Sequence, residues 1–226
     1  MDLNCNLKIL NSMVNKELKN ISKTYLYKKK RNVLYKLIDN YLSCNTYSCS
    51  RLKEGMNIII YTDIKPFWFD DELWNVMEMP ENSDEPVSLR FEGAFSFVGL
   101  PLFYKQICVD SIINEDIIYK YINDFATESD FAISDFIHSL EISKKEFAYY
   151  VEEDFKGICG EHLSDVKYGA YDVALGKMLT LIHCGKYLEA IDIAKMELIS
   201  GRKGNLGINK KNIYELVIEY CSKLTS

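Results

Sequence analysis

The sequence predicts an α+β protein: a small antiparallel sheet in the first half with N-terminal helices, followed by an antiparallel helical C-terminal half. Three observations carry this. Apolar residues recur at helical spacing over residues 6–42 and again from 111 onward, whereas β-branched and alternating runs concentrate between 56 and 108. The chain has only 4 Pro and no low-complexity linker, so it reads as one α+β domain over 1–226. Within it lie a basic helical segment (1–55), a sheet-rich segment (56–110) and a helical segment (111–226). At 226 residues, the chain can bury a sizeable core without disulfides or a metal.

Leu7, Leu10, Val14, Leu18, Ile21 and Tyr25, then Leu34, Leu37, Ile38 and Tyr41, fall on one helical face. They predict two N-terminal helices, or one broken helix, around the basic run Lys28-Lys29-Lys30-Arg31. Met56 to Tyr61 is a short β-branched run of the buried-strand type. Val87, Leu89 and Phe91 alternate with Ser88, Arg90 and Glu92 as in a half-buried strand, and Phe95 and Phe97 continue the alternation toward Leu100–Ile107. A meander of three or four strands follows from this, with a short helix inserted over Pro66–Trp74, where an Asp precedes an apolar-periodic stretch. Beyond residue 111, Ile113, Ile117, Tyr121 and Phe125 predict one helix and Phe136–Leu140 a second. Ser143-Lys144-Lys145-Glu146 reads as a capping box opening a third. Tyr171–His183, Tyr187–Leu198 and Ile213–Leu224 complete the helical half, punctuated by Gly185 and the Gly201–Gly207 loop.

Charge is segregated along the chain. Residues 1–55 carry 11 Lys+Arg against 4 Asp+Glu, residues 56–165 carry 7 against 23, and residues 166–226 carry 9 against 6. An acid block in the middle repels phosphate backbones and attracts basic surfaces, so it argues against a nucleic-acid reader and for a partner rich in Lys and Arg. The short basic run 28–31 reads as a solvated face or an internal counter-charge. No stretch has the ~20 consecutive apolar residues of a membrane span. The N-terminus lacks a signal-peptide pattern, and the expected address is the cytoplasm.

Catalytic and cofactor motifs are not evident. The 7 cysteines are odd in number and scattered, as expected for reduced thiols. Cys44 and Cys49 lack C-x-x-C spacing, and Cys159 with His162 lacks further ligands, so no metal is expected. His138 and His183 sit in apolar helical patterns, as core or interfacial histidines do. The Gly201–Gly207 loop follows a helix and lacks phosphate-loop spacing, so a helix C-cap and turn is expected. Carboxylate pairs at Asp70-Asp71-Glu72, Glu115-Asp116 and Glu152-Glu153-Asp154 are adjacent in sequence, which does not set two carboxyls across a scissile bond. The sequence therefore predicts no enzyme, no cofactor and no small-molecule ligand. A carboxylate- or metal-dependent hydrolase is the alternative to be weighed.

The segment from Phe67 to Glu85 holds both tryptophans amid acids. Aromatic anchors surrounded by one sign of charge suit an interface with a basic protein, where rings fill pockets and carboxylates steer encounter. Trp68 and Trp74 are the candidate anchors, and Asp70, Asp71, Glu72, Glu78, Glu81, Asp84 and Glu85 the candidate front. Glu152, Glu153 and Asp154 form the rival patch. Core burial of the aromatics is the competing account.

Two resemblances follow from these residues. Gly185-Lys186-Tyr187-Leu188-Glu189-Ala190, with Ala194, resembles the centre of one tetratricopeptide repeat, which implies a helix hairpin and, as an alternative function, a helical adaptor. In size, in its rich Asn, Lys, Ile and Tyr usage and in the acidic aromatic stretch Phe67–Glu85, the chain is similar to immunity proteins of bacterial contact-dependent inhibition and other polymorphic toxin systems. That resemblance implies a protein–protein inhibitor that neutralises a cognate basic toxin, often a nuclease, by occluding its active site or an exosite.

Overall fold

The computed structural model describes residues 3–109, 115–160, 171–204 and 206–226. The Cys5 side chain, Ile113, His162 and Asn205 lie outside the described residues. In chain order the elements are α1 Leu3–Thr24, β1 Lys28–Lys30, β2 Val33–Ile38, β3 Tyr41–Arg51, β4 Met56–Pro66, α2 Phe69–Val76, a 3₁₀ turn Pro80–Asp84, α3 Leu89–Glu92 and β5 Leu100–Val109. There follow α4 Glu115–Ser143, α5 Phe147–Glu153, α6 Phe155–Cys159, α7 Val173–His183, α8 Tyr187–Ile199, β6 Gly207–Ile208, β7 Lys211–Asn212 and α9 Ile213–Thr225. The class is α+β, as expected. The chain forms two compact units, Met1–Ile64 with Leu100–Ser139 and Lys65–Gly99 with Leu140–Ser226. Their borders do not follow the three consecutive segments read from the sequence.

The first unit is built on a five-stranded sheet in the order β1-β2-β3-β4-β5. Leu10, Val14, Leu18 and Ile21 form the buried face of α1, as their spacing requires, and share one core with Leu34, Tyr47, Ile58, Ile60 and Phe125. The second N-terminal helix is not formed. Residues 33–51 are instead the antiparallel pair β2–β3, with Ile38 opposite Tyr41 across a two-residue turn at Asp39 and Asn40. Asp39 is left-handed there, at φ 52°. A hairpin turn of this length needs positive φ, and Asp tolerates it, so turn chemistry overrides an apolar spacing that suited either structure. Lys28–Lys30 lies on the edge strand β1.

Residues 115–143 make one helix of 29 residues rather than two, since neither Gly nor Pro interrupts them. Its core face is shifted one residue from the expected phase. Ile118, Ile122, Phe125 and Ala126 are buried, while Ile117 and Tyr121 are exposed. On the sheet side of this unit, Ser129 Oγ donates to Asn45 Oδ1 at 2.8 Å and lies 2.8 Å from Thr62 Oγ1, giving the buried hydroxyls partners.

In the second unit the expected strand Val87–Glu92 is a turn leading into α3, and Phe95–Phe97 joins no strand, its backbone being bonded instead to Gly93 and to the side chains of Trp74, Asp70 and Lys65. Six alternating residues do not outweigh Pro86 and the burial of Arg90 described below. Ser143 does not open α5 with a capping box. Its hydroxyl donates to Leu140 O and accepts the Lys145 N–H, closing α4 instead. A true capping box occurs at Asn212 and Glu215, opening α9. Helices α7, α8 and α9 follow the predicted spacings. Gly185, at φ 72°, ends α7 with its N–H on Ile182 O and the Lys186 N–H on Leu181 O, a Schellman cap. The Gly201 loop closes α8 in the same way, as the sequence predicts.

Candidate functional site

The acidic aromatic segment becomes α2 and the turn after it. Phe69, Leu73, Trp74 and Val76 are the buried face of α2. Phe69 meets Phe97 and Phe147 edge to face at 4.9 and 5.8 Å between ring centres, an arrangement aromatic quadrupoles favour. Trp74 is 1% exposed, and its indole N–H donates to Phe95 O at 2.9 Å. It is a core residue and cannot anchor a partner.

Asp70 is likewise wholly buried, which removes it from the expected front. It lies on the inner side of α2, where Lys65 Nζ donates to Oδ1 at 2.9 Å and stands 2.8 Å from Oδ2. The Phe97 N–H also donates to Oδ1, at 2.7 Å. Lys65 spends its remaining donors on the carbonyls of Arg90 and Phe97, both at 2.6 Å. Burial pushes the Asp70 carboxyl above its ordinary range, and Lys65, the Phe97 N–H and Arg90 oppose that shift. Arg90 is buried over the rings of Phe67 and Trp74, at 3.8 and 4.8 Å, and donates to Phe67 O and to Asp71 Oδ1. Two cations and two carboxylates therefore neutralise one another beneath α2.

The remaining acids divide sharply. Glu72 Oε1 lies 2.9 Å from His183 Nδ1, and the His183 ring stacks on half-buried Trp68 with centres 4.1 Å apart. His183 is thus a surface histidine rather than a core one. His138 is exposed too, because it projects from the outer face of α4. Glu78, left-handed at φ 58°, pairs with Lys223 at 2.7 Å, and that ammonium holds its carboxyl below the usual range. The rival patch is spent locally as well. Glu152 pairs with Lys177, Glu153 pairs with Lys145, and Asp154 accepts the Gly157 N–H as the cap of α6.

Glu81, Asp84 and Glu85 differ from all of these. They occupy the exposed 3₁₀ turn Pro80–Asp84 and its end, and among the described residues no cation pairs with them. Of the nine residues read as the interface, the structure places two in the core, pairs Asp71 and Glu78 with cations, sets Glu72 against the His183 imidazole, stacks Trp68 on His183 and leaves this trio facing solvent.

Lys65 and Arg90 are absent from the site the sequence predicts, and His183 enters it only as a core or interfacial histidine. A signal existed for two of them, because Lys65 and Arg90 are the only cations between residues 54 and 104. Lone cations amid acids and aromatics are the ones an inward-facing carboxylate must use.

Elsewhere in the second unit, a cleft of about 390 Å³ is lined by Tyr171, Asp172, Arg202, Lys203 and Tyr214 among others. Its carboxylate is already committed, capping Leu175 N–H through Oδ1 and accepting the Tyr214 hydroxyl through Oδ2. Among the described residues, no group of three or more His, Cys, Asp or Glu is placed to hold a metal ion. No helix among them is long and apolar enough to cross a membrane. Compared with family models, curated proteins and solved structures, the chain matches none.

Proposed function

We propose that this chain is a binding protein of the immunity-protein kind, which neutralises a cognate basic toxin, such as a nuclease, by covering its active site or an exosite. The observation that supports this most is the uncommitted trio Glu81, Asp84 and Glu85. Glu115, Asp130 and Glu78 of the block are, by contrast, paired within their own unit with Lys16, Lys36 and Lys223. Three like charges on five residues, held by a short turn between Pro80 and Pro86, cost self-repulsion that a cationic partner would relieve. Loops positioned by a rigid scaffold commonly carry recognition, and here α2 is fixed to the core by Phe69, Leu73 and Trp74.

Affinity capture from the native host, with elution in rising salt, tests this. The expected result is one basic protein, released only at high salt, whose toxic or nuclease activity the captured chain suppresses. Equal recovery of that protein by the Glu81→Lys, Asp84→Lys, Glu85→Lys triple variant would remove the turn from the interface. Recovery of no basic partner would contradict the function itself.

A further inference from the structure

Helix α8 buries Ala190, Ile191 and Ala194 against its neighbours α7 and α9. At about 100° per residue, Leu188, Asp192, Lys195 and Ile199 fall within about 60° of one another, on a stripe centred about 120° around the helix from the buried one. Leu188 is 66% exposed and Ile199 86%, with Met196 beside them at 70%. Three large aliphatic side chains on one solvent-facing stripe serve no core. Asp192 and Lys195 lie between them, both exposed, and no ion pair joins them to each other or to any described residue.

The stripe is symmetric about its own midpoint. Leu188 and Ile199 stand equally far from that midpoint, which falls between Ile193 and Ala194, and so do Asp192 and Lys195, with opposite charges. An antiparallel copy of the helix, related by a two-fold axis through that midpoint, sets Leu188 against the partner's Ile199 and Asp192 against the partner's Lys195, each contact occurring twice. We propose that α8 is the interface of a homodimer of this chain. The charge pattern selects the occupant, since a stripe built for a basic or an acidic foreign helix would carry one sign, whereas this one complements itself. One helix face from each subunit falls below the ~1,200 Å² of a standard interface, so the dimer is weak and dissociates on dilution.

The test is sedimentation velocity of the full chain from low micromolar to near-millimolar concentration. The expected result for the native chain is a concentration-dependent monomer–dimer equilibrium. Asp192→Lys and Lys195→Asp, each alone, place like charges face to face and should weaken dimerisation more than tenfold. An equimolar mixture of the two should dimerise again, because one helix then offers two lysines and the other two aspartates. That rescue distinguishes a specific interface from general stickiness and from misfolding of either variant. A native chain that stays monomeric, variants that dimerise as well as the native chain, or a mixture that stays monomeric would each overturn the proposal. So would capture of an unrelated helical protein on this stripe in competition with self-association.

Discussion

Lys65 Nζ lies 2.9 Å from Asp70 Oδ1, with both side chains withdrawn from solvent, so the first carboxylate of the acidic segment points into the protein. Removing the lysine would strand a buried charge. Lys65→Met is expected to destabilise the fold by about 3–5 kcal/mol, the usual cost of breaking a buried pair from one side. Adding Asp70→Asn should recover part of that loss. Urea denaturation of the two variants checks both, and an unchanged midpoint for Lys65→Met would contradict the assigned role.

Two left-handed glycines should respond differently to alanine. Gly185 has open space where a Cβ would stand, so Gly185→Ala should cost only the backbone strain of about 1 kcal/mol. At Gly204 (φ 66°) a Cβ would fall 2.6 Å from Ile213 Cγ2, a fully buried residue. Gly204→Ala adds overpacking of about 1–3 kcal/mol. Thermal melts should order the variants accordingly.

Asn212 accepts the Glu215 N–H at 3.0 Å, while Glu215 accepts the Asn212 N–H at 2.8 Å. Asn212→Ala should cost about 1 kcal/mol, and Asn212→Ser much less, because serine can still cap. Chemical denaturation distinguishes the two.

Burial pushes the Cys49 and Cys221 thiols up to about 11 and Cys159 to about 12, from an ordinary value of 9.0. Their folded values exceed the unfolded ones, so the folded state binds more protons above pH 9, and stability falls as pH rises from about 9 through about 12. The melting temperature should be flat near neutrality and drop over that window. At pH 8 a thiol reagent should modify exposed Cys108 and Cys184 well before buried Cys44, Cys159 and Cys221.

The elements most legible in the sequence were those whose apolar period was long and uninterrupted. The buried face of α1 and the three helices α7 to α9 lie where spacing and glycine punctuation put them. β2 forms where a helix is expected, because Leu34, Leu37 and Ile38 fit a helix as well as a strand and the left-handed turn at Asp39 decides between them. α3 forms where a six-residue alternation predicts a strand, because so short an alternation carries little information against a preceding proline. At the candidate site, Asp70 and Asp71 are equivalent in sequence and opposite in structure. Asp70 turns inward onto Lys65 while half-buried Asp71 meets Arg90, a tertiary fact that local pattern does not encode. The exposed trio was legible for a simple reason: two prolines and a run of polar residues leave nothing to bury.

The claim that this trio recognises a basic protein is tested most directly by association kinetics. The captured partner would be mixed with the native chain and with the Glu81→Lys, Asp84→Lys, Glu85→Lys variant over a range of ionic strength. Steering by uncommitted carboxylates predicts that the native association rate falls steeply with salt, while the variant associates slowly at low salt with a flat dependence. Equal rates and equal salt slopes for the two proteins would contradict the account.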